Sequence, residues 1–128
     1  MNGSAFAELF TSDLAAEVRG EFDERIGFGL SSQHATVHAV ARFGSLLTDP
    51  NDGPVVIVCL AALQFEAGGL SQSFRDAAIE LIETREAQRA WKCFDHEAGQ
   101  QRRAVLDRLA TALRDAPVVE PESTDQPD

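Results

Sequence analysis

His34 and His38 stand four residues apart, so on a helix their imidazoles share one face, a spacing that can hold a metal ion. Residue 35 is alanine, so the glutamate that a His-Glu-x-x-His peptidase uses as its base is missing. Cys93 and His96, three apart, could complete a four-ligand set. The plainer expectation is two surface histidines beside an apolar face, with no metal or cofactor bound. Gly27-Phe-Gly29-Leu-Ser-Ser32 has the outline of a dinucleotide turn, but it follows a helical pattern and its third glycine is Ser32. It reads as a helix stop followed by a cap. Asp49 to Gly53 resembles the start of a calcium loop, yet the position of the bidentate carboxylate is Leu60, so it reads as a turn. The chain has no Gly-x-Ser-x-Gly elbow and no phosphate loop. Carboxylate pairs such as Glu80 with Glu83, and Asp23 with Glu24, abound, but nothing in their setting would raise a pKa for acid–base work. A non-enzymatic protein is expected.

One charged pattern is more organised. Asp13, Glu17, Glu21 and Glu24 fall within about 80° of a helix at 100° per residue, forming an acidic ridge beside an apolar stripe. Like charges one turn apart cost a helix a few tenths of a kcal/mol each. A ridge that costs stability suggests a docking surface for a basic partner; the plain alternative is a solvated face.

The elements that must position these residues follow from periodicity and punctuation. Residues 1–10 form an opening arm in which Phe6, Leu9 and Phe10 could dock on the body. A first helix over 12–26 carries Leu14, Val18, Phe22 and Ile26 in steps of four. A second, from Ser31 or Ser32 to Leu47, places Val37, Val40, Ala41, Gly44 and Leu47 on one face. After the turn signal Asp49-Pro-Asn-Asp-Gly-Pro54, residues 54–67 are apolar almost all round, the pattern of a buried central helix. The β-branched run from Val55 to Val58 could be a strand, but Leu60-Ala-Ala-Leu63 continues the helix and a lone strand would have no partner. A helix over 72–84, a short helix or turn over 86–94 (carrying Trp91) and a helix over 97–115 complete the body. Residues 117–128 hold three prolines, four acids and no base, a composition expected to stay disordered. The expected fold is all-α: a compact bundle of five or six helices around the buried central one, over residues 11–116.

Bulk properties narrow the function. The chain has 128 residues, the length of one domain, with 21 acids against 11 bases and a net charge of −10. Residues 1–68 carry nine acids and three bases, while residues 69–116 carry eight of each, so the acidity of the body lies in its first half. Such a charge argues against nucleic acid and against an anionic membrane, both of which bind through cations. It favours a basic protein partner. Two cysteines are too few for a disulfide framework, and no signal segment opens the chain, so a cytoplasmic setting is expected.

Four stretches also carry a resemblance. Leu9 to Phe22, Ile26 to Ser31, Asp49 to Val55 with Leu60 to Gln64, and Arg103 to Leu109 resemble a bacterial domain-of-unknown-function family of small helical proteins that open with Met-Gly-x-Trp-Gly. The likeness covers about residues 8–114. Here Ser4-Ala-Phe-Ala7 stands in place of the opening Trp-Gly, and Phe65-Glu66 in place of a Trp-Lys pair. The resemblance implies a helical fold and gives no residue a catalytic role. The function expected is a neutralising binding protein, such as an immunity protein or antitoxin-like inhibitor acting on a toxin. A second reading is a structural or adaptor subunit that forms a homo-oligomer through an apolar patch.

Overall fold

The computed structural model describes residues 6–10, 12–90 and 96–119, without the side chains of 7, 8 and 96–99. Six α-helices pack together: α1 (Asp13–Gly27), α2 (Ser32–Phe43), α3 (Asp52–Ala67), α4 (Gln72–Glu83), α5 (Glu86–Ala90) and α6 (His96–Asp115). Short 3-10 turns at Ala7–Phe10 and Gly44–Leu46 precede α1 and follow α2.

The expected axle is there. The run Val55-Val56-Ile57-Val58 is helical, and eleven residues of α3 are buried, from Gly53 to Gln64. An apolar sequence with no polar side must be enclosed, and α1, α2, α4 and α5 all border α3. Asp49 starts the helix: its carboxylate accepts the Asn51 N–H at 2.7 Å and the Asp52 N–H at 2.9 Å. Those bonds hold the Asp49 carboxyl below its ordinary pKa. Gly68 ends the helix with φ of 82°, a left-handed conformation that a side chain would strain.

The hairpin of α1 and α2 stands against one side of α3, and α6 closes the other side over α4, α5 and the opening turn. Ser12 and Ser31 accept N–H bonds from Ala15 and His34, so a serine caps each of the two helices. Phe6, Leu9 and Phe10 are buried, and the Phe6 ring meets Phe65 edge-on with centroids 6.0 Å apart. The arm is therefore part of the core.

Three expectations are corrected. The inner face of α2 is Ala35, Thr36, Ala39 and Phe43; Val37 is 62% exposed and Ala41 faces solvent. Small residues set that face because α1 and α3 both press against it, whereas periodicity weights the larger valine. On α1, Val18 and Phe22 are buried but Ile26 emerges at the end. The body also runs past residue 116: the Val119 N–H donates to the Leu70 carbonyl at 2.8 Å, and a single parallel bridge joins Val119 to Ser71. Residues 120–128 of the expected acidic tail lie outside the described residues, as do Trp91 and Cys93.

Candidate protein-binding face

The acidic ridge divides in two. Asp13, Glu17 and Glu24 are exposed and form no ion pair among the described residues. Glu21 does not belong with them: it is buried, and it accepts Arg25 Nε at 2.9 Å and Arg42 Nη1 at 3.1 Å. The reason is angular. Glu21 sits at the edge of the arc nearest α2, so the second helix covers it, and burying a carboxylate requires compensating cations. The bond from Arg25, joined by the weaker effect of Arg42, outweighs burial and holds the Glu21 carboxyl below its ordinary pKa. One carboxylate held by two guanidinium groups leaves the seam between the helices with a surplus positive charge.

An unforeseen residue extends the remaining row. Phe28, at the C-terminal cap of α1 and one turn beyond Glu24, is 69% exposed. Aromatic residues, phenylalanine among them, are enriched in protein interfaces relative to the rest of the surface. The row Asp13, Glu17, Glu24, Phe28 thus presents three carboxylates leading to one ring. Within it Gly20 is exposed, with nothing inside 4 Å of where a Cβ would stand.

Beside the row, the outer face of α2 presents His34, Val37, His38 and Ala41, all exposed, with the half-exposed Arg42 at its α1 edge. This helix contains no acid. The two histidines do share one face, as expected. Among the described residues, however, no three His, Cys, Asp or Glu side chains gather as a metal would require. Cys93 and the His96 side chain, the other two ligands considered, lie outside the described residues. Cys59 is fully buried, and burial pushes its thiol far up in pKa, which makes it inert packing rather than a nucleophile.

Open recesses lie elsewhere among the described residues. One, of about 330 Å³, is bounded by Ser31, Ser32, Gln33, Ala67, Gly68, Gly69 and Val119. Another, of about 220 Å³, is apolar and lies among Leu47, Ile57, Phe74 and Ala77. Beneath the first is a polar network that the sequence hid. Gln64 is 1% exposed; its Nε2 donates to Thr36 Oγ1 at 2.7 Å, and its Oε1 accepts the Ser71 N–H at 3.0 Å and the Ser71 hydroxyl at 3.1 Å. Thr36 Oγ1 donates in turn to the Ser32 carbonyl at 2.7 Å, and Ser32 Oγ donates to the Gly69 carbonyl at 2.9 Å. Every polar atom of the glutamine side chain is engaged inside the fold, so the network ties α2, α3 and the α3–α4 turn together and leaves no group aimed at a ligand. Its one signal in the sequence is a glutamine at the end of an otherwise apolar run.

Among the described residues, no helix is long and apolar enough to cross a membrane. Compared with family models, with curated proteins and with solved structures, the chain gives no match to any.

Proposed function

We propose that this chain is a binding protein rather than an enzyme, and that α1 docks a basic protein surface, in the manner of a small inhibitor or immunity protein that neutralises a toxin. The observation that carries the reading is the row of three carboxylates without an ion pair among the described residues, Asp13, Glu17 and Glu24, ending on the exposed Phe28 ring. The carboxylates supply long-range attraction, which speeds encounter with a cationic partner. The ring supplies apolar area that a partner pocket can enclose. The reduced, buried Cys59 fits work in the cytoplasm. Membership in the helical family suggested by the sequence would add no activity to this proposal.

The test begins with the protein that the untagged chain brings down from its own host. Its association rate is then measured against the chain and against a Glu17→Lys, Glu24→Lys variant at low salt. The expected result is a fall of roughly tenfold or more in the on-rate, with a smaller effect at high salt. An on-rate that does not change at low salt removes the acidic row from the function. Phe28→Ala is expected to act on the off-rate instead.

A second reading, a subunit that associates with itself, is favoured by the exposed Val37.

A further inference from the structure

We infer that residues 117–119 form a latch on the body, and that the peptide joining Leu70 to Ser71 couples this latch to α2. The coupling is a property of the single chain and is independent of what the α1 face binds.

The two ends of the device meet at one peptide unit. A peptide is planar, and in its trans form the carbonyl and the N–H point in opposite directions. The Leu70 carbonyl accepts the Val119 N–H at 2.8 Å. The Ser71 N–H, on the other edge of the same plane, donates to Gln64 Oε1 at 3.0 Å. One rigid plate is therefore gripped on one edge by the C-terminal segment and on the other by a buried glutamine. The plate cannot turn to suit one partner without misaligning the other. Leu70 is buried, and a buried backbone group without a partner is costly, so both bonds favour the same setting of the plate.

From the glutamine the hydrogen bonds run on into α2. Gln64 Nε2 donates to Thr36 Oγ1 at 2.7 Å, and Thr36 Oγ1 donates to the Ser32 carbonyl at 2.7 Å. The Ser71 hydroxyl adds a second bond to Gln64 Oε1, at 3.1 Å. The side-chain amide is itself planar. Rotating its oxygen away from Ser71 rotates its nitrogen away from Thr36, so Gln64 has one setting that serves both sides.

Burial gives the device a direction. Gln64 and Thr36 are buried, whereas Pro117 and Val119 face solvent and Val118 between them packs on the core. The strap is the end that solvent and partners reach, and α2 is the end that responds. Val119 also borders the recess of about 330 Å³ together with Ser31 and Ser32, so its release removes one wall of that recess. The responding helix is the one that carries Arg42 to Glu21 on α1. Coupling is reciprocal: a change at α2 that weakens the grip of Gln64 weakens the latch by the same factor.

Amide hydrogen exchange read by NMR on the full chain tests the coupling in both directions. Val119→Pro deletes the donor at an exposed position in a bridge, a setting that accepts proline. The side-chain amide of Gln64 is then expected to exchange roughly threefold faster or more, relative to the backbone amide of Leu60 in the middle of α3. Thr36→Val deletes the acceptor at the other end and keeps the shape. The Val119 amide is expected to exchange roughly fivefold faster or more, again relative to Leu60, which reads the change in global stability. Thr111→Val is the control. It removes a hydroxyl that donates to the Asp107 carbonyl at 3.2 Å on the exposed side of α6, and is expected to leave both signals in place. A Gln64 side-chain amide that does not respond to Val119→Pro overturns the inference. So does a Val119 amide that moves only as far as Leu60 in the Thr36→Val protein. If the Thr36→Val protein does not fold, the exposed Val119→Pro variant decides alone, by the same readout.

Discussion

Glu21 shows how one side chain can change its role when a neighbouring helix arrives. On an isolated helix it is the third member of an acidic series; in the fold it is a buried counter-ion for Arg25 and Arg42. Its pKa is lowered in the folded state, so its contribution to stability is present above the unfolded carboxylate value and is lost as pH falls through the folded one. Glu21→Gln is expected to cost about 1–2 kcal/mol at pH 7, a charged hydrogen-bond value discounted for half-exposed partners. The cost should shrink as pH falls below the ordinary carboxylate range, so urea midpoints of the two proteins should draw together toward acid pH. Parallel curves would mean that the two arginines do not stabilise this carboxylate. Gln64 is the second residue of this kind. Gln64→Leu preserves volume but leaves the Ser71 N–H and the Thr36 hydroxyl short of a partner, with an expected loss of about 1–3 kcal/mol.

At the scale of the element, two helical glycines predict opposite outcomes. Gly20 lies inside α1, exposed, with open space where a side chain would go. Gly20→Ala should stabilise the chain by about 1 kcal/mol, the difference in helix propensity. Gly53 lies in the first turn of α3, where a Cβ would press into the backbone carbonyl of Leu47. Backbone cannot step aside as a side chain can, so Gly53→Ala should destabilise by about 1–3 kcal/mol. Thermal melts of the two variants should therefore move in opposite directions. The same contrast explains what was legible beforehand. The axle could be read because α3 is apolar on every side and flanked by Asp49-Pro50 and Gly68-Gly69, signals that need no tertiary context. The helices of the body were legible for the same reason. The buried face of α2 was not, because Ala35, Ala39 and Thr36 are small and mark burial only once α1 and α3 are known to press there. The candidate face was half legible. Its carboxylates share an arc by arithmetic alone, but the withdrawal of Glu21 and the emergence of Phe28 depend on where α2 lies.

For the whole molecule, the net charge of −10 acts against any pairing of like copies. Self-association through an apolar patch, the second reading of the function, must therefore overcome a global repulsion that scales with the product of the two net charges. Removing residues 120–128 deletes four of the 21 acids and lowers the charge per chain to −6. Those residues begin just beyond Val119, whose N–H is held on the Leu70 carbonyl, so the cut preserves that bond. On that reading the shortened chain is expected to dimerise more tightly than the full chain at 20 mM salt, where the Debye length is about 20 Å and repulsion between whole molecules is felt. At 500 mM salt the length is about 4 Å, so the advantage should vanish. Sedimentation equilibrium of the two chains at both salt concentrations checks this. Equal affinities at low salt would mean that net charge does not oppose the pairing. A shortened chain that dimerises less well would place residues 120–128 inside the interface rather than outside it.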